Sequence, residues 1–214
     1  PLGQTIEVAE KNILWLKFHT IGKQAHGSRP DQGCNAKLAS SYLALKIHEL
    51  EKVFNAKDKM FEPSRSTFEP TMQYQNVSGV NIIPGDDVFC ADCRILPQYS
   101  LDQVCAEVNK IIRETEEIYG VKIQVEELQA EQSKATSVES PVAKELFEAI
   151  KNVHGIEPRF VGIGGGTVAA GLRNAGIDAV VWSTMDELAH QPNEYAIVKN
   201  IAKDALTIAY MACR

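Results

Sequence analysis

Four stretches of the chain carry the apolar pattern of β-strands. Asn12–Thr20 is rich in large apolar residues, Ile13 and Trp15 among them. Thr67–Asn76 alternates Phe68, Met72 and Tyr74 with polar residues in spite of Pro70, and Asp86–Leu96 ends at Pro97. Val121–Gln129 alternates Val, Ile, Val and Leu with polar positions. Between them, Leu38, Tyr42, Leu45 and Leu50 recur at helical intervals over Asn35–Phe54. Ser100 caps a second helix, with Asp102 in its first turn, that runs from Leu101 to about Tyr119 and closes at Gly120. The order over residues 12–129 is βαββαβ. That is a ferredoxin-like plait, an antiparallel sheet with two helices on one face.

The remainder follows another rule. Ser140-Pro141 opens a helix to about His154, and Phe160–Ile163 reads as a short strand. A helix over Thr167–Asn174, a Val/Ile-rich strand over Ile177–Trp182 and a final helix from Asn193 or Glu194 to Cys213 complete an αβαβα series. Its short apolar strands predict a parallel arrangement within an α/β layer. Two strands do not make a stable sheet alone, so this half completes a sheet begun elsewhere. Thr5–Ala9 is a short extended piece leading in, and a start at Pro1 rather than Met suggests a processed product or the middle of a longer protein.

Composition narrows the partners. A formal net charge of −6 argues against nucleic acid, and no apolar run is long enough to span a membrane. Five cysteines, an odd number, suggest a reduced, cytoplasmic setting. Cys90-x-x-Cys93 resembles a redox or zinc pair. On a strand, however, residues three apart point to opposite faces, so both are assigned to packing.

Candidate chemistry falls in three places. The polar loop Gly22–Asn35, between a strand and a helix, carries His26 and Arg29; it is either a solvated connection or a loop that presents side chains. The connection Ser183–Glu194 follows a strand and offers Asp186, Glu187, His190 and Glu194, donors suited to Zn²⁺ or Mn²⁺. Gly162-Ile-Gly-Gly-Gly-Thr167 opens a helix; its bare backbone N–H groups suit a carboxylate or phosphate, and close helix–strand packing explains the same glycines. No Lys precedes Thr167, which excludes the phosphate-binding loop of nucleotidases. Asn81 lies at a turn, and Asp92 and Arg94 share one strand face, where charges must be exposed, paired or functional. His19, His48 and His154 have ordinary contexts and read as structural.

These residues, taken in order, resemble a known family. Gly22-x-x-Ala-His26-x-x-x-Pro30-x-x-Gly33-x-Asn35-Ala36 is similar to the lid motif of the co-catalytic zinc aminoacylases and carboxypeptidases. That family includes succinyl-diaminopimelate desuccinylase, acetylornithine deacetylase, aminoacylase and glutamate-type carboxypeptidases. The likeness continues in Asn81-Ile-Ile-Pro84, Asp92-x-Arg94, Gly165-Gly-Thr167 and His190-x-x-Asn193-Glu194.

The resemblance implies an α/β enzyme with an α+β lid. Residues 1–11 would lead in from a missing N-terminal catalytic part, 12–130 would form the ferredoxin-like lid and dimerisation domain, and 131–214 the C-terminal part of an incomplete α/β catalytic layer. It also implies a hydrolase in which two zinc ions about 3.5–4 Å apart, with Mn or Co as substitutes, activate water against an amide of an N-acyl amino acid or small peptide. His190 matches a metal ligand. His26 matches the lid histidine that steadies the oxyanion, usually in the partner subunit's site, and Asn81, Arg94, Gly166 and Thr167 match substrate-binding positions. The family's other ligands and general base lie before the lid and have no counterpart here, so the 214-residue chain alone is expected to be inactive. Val168-Ala169 also departs from the polar or acidic residue usual after Gly-Gly-Thr. The rival readings are a non-catalytic dimerisation or binding module and, more remotely, a dinucleotide-binding unit around Gly164, Gly166 and Ala169.

Overall fold

The computed structural model describes residues 3–186, 188 and 191–213. They form two compact units. One comprises residues 12–58 and 63–132, the other residues 1–11, 59–62 and 133–214. No described helix is long and apolar enough to cross a membrane.

In the chain's order the elements are β1 (Thr5–Glu10), β2 (Asn12–Ile21), β3 (Ala25–His26), α1 (Ala36–His48), β4 (Thr67–Gln73), β5 (Ile82–Ile83), β6 (Asp86–Ile95) and α2 (Leu101–Tyr119). There follow β7 (Lys122–Glu131), α3 (Pro141–His154), β8 (Arg159–Ile163), α4 (Val168–Asn174) and α5 (Val198–Ala212).

The first unit is an antiparallel sheet in the order β4-β6-β2-β7, packed against α1 and α2. Alternation places Leu14, Leu16 and Phe18 of β2 and Phe89, Ala91, Cys93 and Ile95 of β6 in one core. Leu43 and Ile47 of α1 and Val104, Val108 and Ile112 of α2 close it from the other side. The sheet is the ferredoxin-like arrangement expected. Cys90 and Cys93 do fall on opposite faces, and burial pushes the Cys93 thiol up to about 12, so it packs as an apolar group. Local signals act as written. Ser100 and Gln103 form a reciprocal capping box, and Gly120, at φ 66°, takes the left-handed C-terminal position. Helix α1 ends at His48 rather than near Phe54. The chain tightens there into a 3₁₀ turn over Glu49–Lys52, and Leu50 and Phe54 remain in the core.

In the second unit β1 and β8 pair in parallel, and α3 packs against α5. Ile6, Val8, Leu146 and Ile150 form its core, bordered by Phe147, Phe160, Trp182 and Met211. The strand expected over Ile177–Trp182 is absent. Only Val181 bridges to Glu7, and it does so antiparallel. The reason is local. The Thr136 hydroxyl donates to the Ala179 carbonyl at 2.6 Å and accepts its N–H at 3.0 Å, while Arg173 Nε donates to the same carbonyl at 2.9 Å. Side chains thus satisfy backbone groups that a ladder would have used. Helix α5 begins at Val198, four or five residues later than the sequence pattern suggests.

Candidate functional site

The Gly22–Asn35 loop is tied down at both ends. Lys23 and Cys34 exchange backbone hydrogen bonds of 2.9 Å, and Gly22 N–H donates to the Gly85 carbonyl at 2.9 Å. A Cβ on Gly22 would stand 2.2 Å from the Cys34 carbonyl oxygen, and one on Gly85 would stand 2.5 Å from Gln24 N. Only glycine allows these close approaches. Gly22→Ala should therefore cost about 1–3 kcal/mol and broaden the His26 imidazole signals in NMR spectra. Unchanged stability and sharp His26 signals would show the loop adjusting freely.

Within the loop, β3 pairs with β5 so that His26 faces Ile82, and Gly27 N–H donates to the Asn81 carbonyl at 2.7 Å. His26 and Asn81, 55 positions apart in sequence by their numbers, are thus neighbours on one small ribbon. The segment before β5 is anchored by buried Asp87, whose carboxylate accepts Asn76 Nδ2 at 2.6 Å and Gln73 Nε2 at 3.0 Å. The His26 ring is exposed, and Ser28 N–H donates to its Nδ1 at 3.2 Å. That contact requires a lone pair on Nδ1, which places the neutral ring's proton on Nε2. In that tautomer the exposed ring carries its N–H donor on Nε2.

Arg94 stands elsewhere. It pairs in register with Ile13, whereas the ribbon lies beyond Ile21 and Asp86. The separation along β6 is about 27 Å at roughly 3.4 Å per residue. Arg94 Nε and Nη2 donate to both oxygens of Asp92 at 2.6 and 2.9 Å, and the guanidinium lies over the Trp15 ring, 5.7 Å from its centre. The structure brings His26 and Asn81 together on the β3–β5 ribbon and leaves Arg94 on the four-stranded sheet, toward the end away from that ribbon.

Gly166 and Thr167 link β8 to α4, and Thr167 caps that helix by accepting Ala169 N–H at 3.1 Å. The Thr167 N–H donates to Glu10 Oε2 at 2.8 Å, and its hydroxyl bonds to the other oxygen of the same carboxylate. The anion received at this turn is the chain's own Glu10. His190, the expected metal ligand, lies outside the described residues, as does Glu187. Asp186 accepts a hydrogen bond from Tyr195 Oη at 2.7 Å.

Sequence reading missed a buried cluster behind Thr167. Arg173 is 3% exposed, Glu7 5% and Glu10 1%. Arg173 reaches Glu7 Oε1 at 2.9 Å and Glu10 Oε1 at 3.3 Å. Two acids on one strand and an arginine more than 160 residues later give no spacing signal. Burial pushes the Glu7 carboxyl up to about 7; Arg173 pulls the other way and Glu10 adds to the rise. A raised carboxyl binds its proton more tightly in the folded chain. Its stabilising contribution is complete below the unfolded value of 4.5 and is lost as pH rises through about 7. Burial, with Lys203 nearby, lowers the His154 pKa from its ordinary value, which works in the opposite direction. The comparison with Glu7→Gln isolates Glu7. The variant should gain roughly 2–3 kcal/mol on the parent between pH 5 and 8, read from urea midpoints. Parallel pH curves would refute the assignment.

Comparison with known proteins gives these parts a family. A model described as the peptidase dimerisation domain matches residues 8–120. An uncharacterized metallohydrolase of Methanococcus maripaludis is 40% identical over 96% of this chain and 53% of its own length. Succinyl-diaminopimelate desuccinylase of Wolinella succinogenes is 26% identical over 90% of this chain and 50% of its own. The chain thus spans about half the length of these curated relatives. The crystal structure of aminopeptidase PepT from Bacillus cereus superimposes with a TM-score of 0.82 at 20% identity, over 99% of this chain and 54% of that one. With the dimerisation domain matched over half its length, the chain belongs to the M20 family of metallohydrolases and peptidases.

Proposed function

We propose that this chain is the lid and the C-terminal catalytic part of a zinc-dependent hydrolase that cleaves an amide in an N-acyl amino acid or small peptide. The observation that carries the reading is the exposed His26 ring, its Nδ1 accepting from Ser28 N–H and its residue beside Asn81 on the β3–β5 ribbon. A neutral imidazole N–H aimed at developing negative charge is the donor an oxyanion needs. Asn81 is assigned to the substrate's carboxylate end beside it. Arg94 on the lid, and separately the Gly166–Thr167 turn of the other unit, are also assigned to substrate binding.

The described residues do not assemble a di-zinc site, so His190 would need ligands supplied by an N-terminal part outside residues 1–214. In the complete enzyme the metal ions would provide the activated water. Two features support a covering segment: the two-stranded β1–β8 sheet, and Ile201, Leu206 and Ile208 of α5, each more than half exposed. Pairing of two chains through the lid would bring the His26 ribbon to another subunit's site. Free thiols at all five cysteines accord with a cytoplasmic setting.

The test is a panel of N-acyl amino acids and short peptides given to the full-length protein. Amine release that stops on chelation and returns with Zn²⁺ is expected. A stable dimer that hydrolyses none of them, with or without metal, would make this a binding module instead.

A further inference from the structure

His48 closes α1, Glu51 lies three residues on in the 3₁₀ turn, and Glu69 stands on edge strand β4. One ring nitrogen of His48 and one carboxylate oxygen each of Glu51 and Glu69 lie within 4.8 Å of one another. Among the described residues, no other group of three His, Cys, Asp or Glu side chains comes so close. We propose that these three residues form a site for a divalent transition ion, Zn²⁺ in the first instance, on the lid itself. The inference does not depend on the hydrolase reading.

The donor chemistry comes first. One imidazole and two carboxylates is a three-ligand set that zinc takes, with water in the fourth position. Donors about 2.1 Å from a tetrahedral ion stand roughly 3.4 Å from one another. The three donor atoms lie within 4.8 Å of one another, somewhat wider than that edge. The Glu69 side chain is half exposed, so it can turn to close the remainder.

The imidazole is also oriented by its neighbours. The Phe68 carbonyl lies 3.1 Å from His48 Nδ1, and Phe68 itself is fully buried. A proton on Nδ1 donated to that carbonyl leaves the lone pair on Nε2, so Nε2 is the ligating nitrogen and the carbonyl of the residue beside Glu69 steadies the ring.

The cluster also holds an unmet acceptor. Glu51 Oε2 receives Arg65 Nε at 3.0 Å, but Glu51 Oε1 is buried with no hydrogen-bond partner among the described residues. A buried carboxylate oxygen left without a donor is costly, and a cation removes that cost. The nearby lysines do not fill the place. Lys46 and Lys52 are drawn to Glu49, at 3.5 and 2.6 Å.

The test is calorimetric titration of the 214-residue chain with Zn²⁺ and, separately, Mg²⁺, together with NMR of the histidine ring protons. One Zn²⁺ per chain should bind and shift the His48 signals, while Mg²⁺, which favours an all-oxygen octahedron, gives no heat. His48→Asn and Glu69→Gln each change an exposed side chain and should weaken Zn²⁺ binding at least about tenfold, the lower bound for losing even an outer-sphere partner. His190→Ala and His26→Ala should bind as the parent does. No zinc binding, undiminished binding by His48→Asn, or loss only in His190→Ala or His26→Ala would overturn the proposal.

Discussion

Replacing Arg173 with alanine should destabilise the unit built on β1 and β8 by about 3–5 kcal/mol, the cost of stranding buried carboxylates. The magnitude follows from what the guanidinium does. It lies between Glu7 and Glu10 at 2.9 and 3.3 Å, and its Nε donates to the Ala179 carbonyl and the Thr136 hydroxyl. Removing it strips the cation from two acids exposed by 5% and 1%, and removes one of the donors that replace the ladder at Ala179. Arg173→Lys should recover little, because one ammonium cannot repeat the forked contact with both acids and the carbonyl. Urea melts in a Trp15→Phe background would leave Trp182, which borders this unit's core, as the reporter. A midpoint within about 1 kcal/mol of the parent would mean that water or rearrangement compensates the acids and that the cluster is not a structural clasp.

The same cluster shows where sequence reading ends. Caps are local, so Ser100 with Asp102 and Ser140 with Pro141 announced α2 and α3 within a residue of their observed starts. Period-two alternation marked Thr67–Asn76 and Val121–Gln129, and a run of large apolar residues marked Asn12–Thr20. Ile177–Trp182 has the composition of a strand, but its backbone groups are taken by Thr136 and Arg173, a tertiary effect that composition does not carry. The β3–β5 ribbon has strands of two residues each, too short for any periodicity. The motifs around His26 and Asn81 were legible by resemblance; their contact was not. His48 read as structural, since His48 and Glu51 share a turn while Glu69 arrives only through strand pairing.

His26→Ala in the full-length protein should lower turnover roughly 10²–10³-fold while leaving bound zinc unchanged, as loss of one oxyanion donor does elsewhere. The separation of the two effects follows from the geometry. His26 sits on an exposed ribbon, its Nδ1 already committed to Ser28 N–H, so the ring can donate from Nε2 but is not held as a ligand by its neighbours. The fall should appear in kcat more than in KM, because the charge it meets exists only at the transition state. His26→Gln, which restores an N–H donor at similar reach, should recover part of the loss. A mixing experiment asks which subunit's site His26 serves. If the lid reaches across a dimer, His26→Ala and His190→Ala chains, each inactive alone, would on reassembly make one intact site in each mixed pair. Random pairing then restores about a quarter of parental activity. If His26 serves its own chain, every site in the mixture lacks one group or the other and activity stays at the level of the single variants. Loss of zinc from His26→Ala would give His26 a ligand's role and remove the oxyanion assignment altogether.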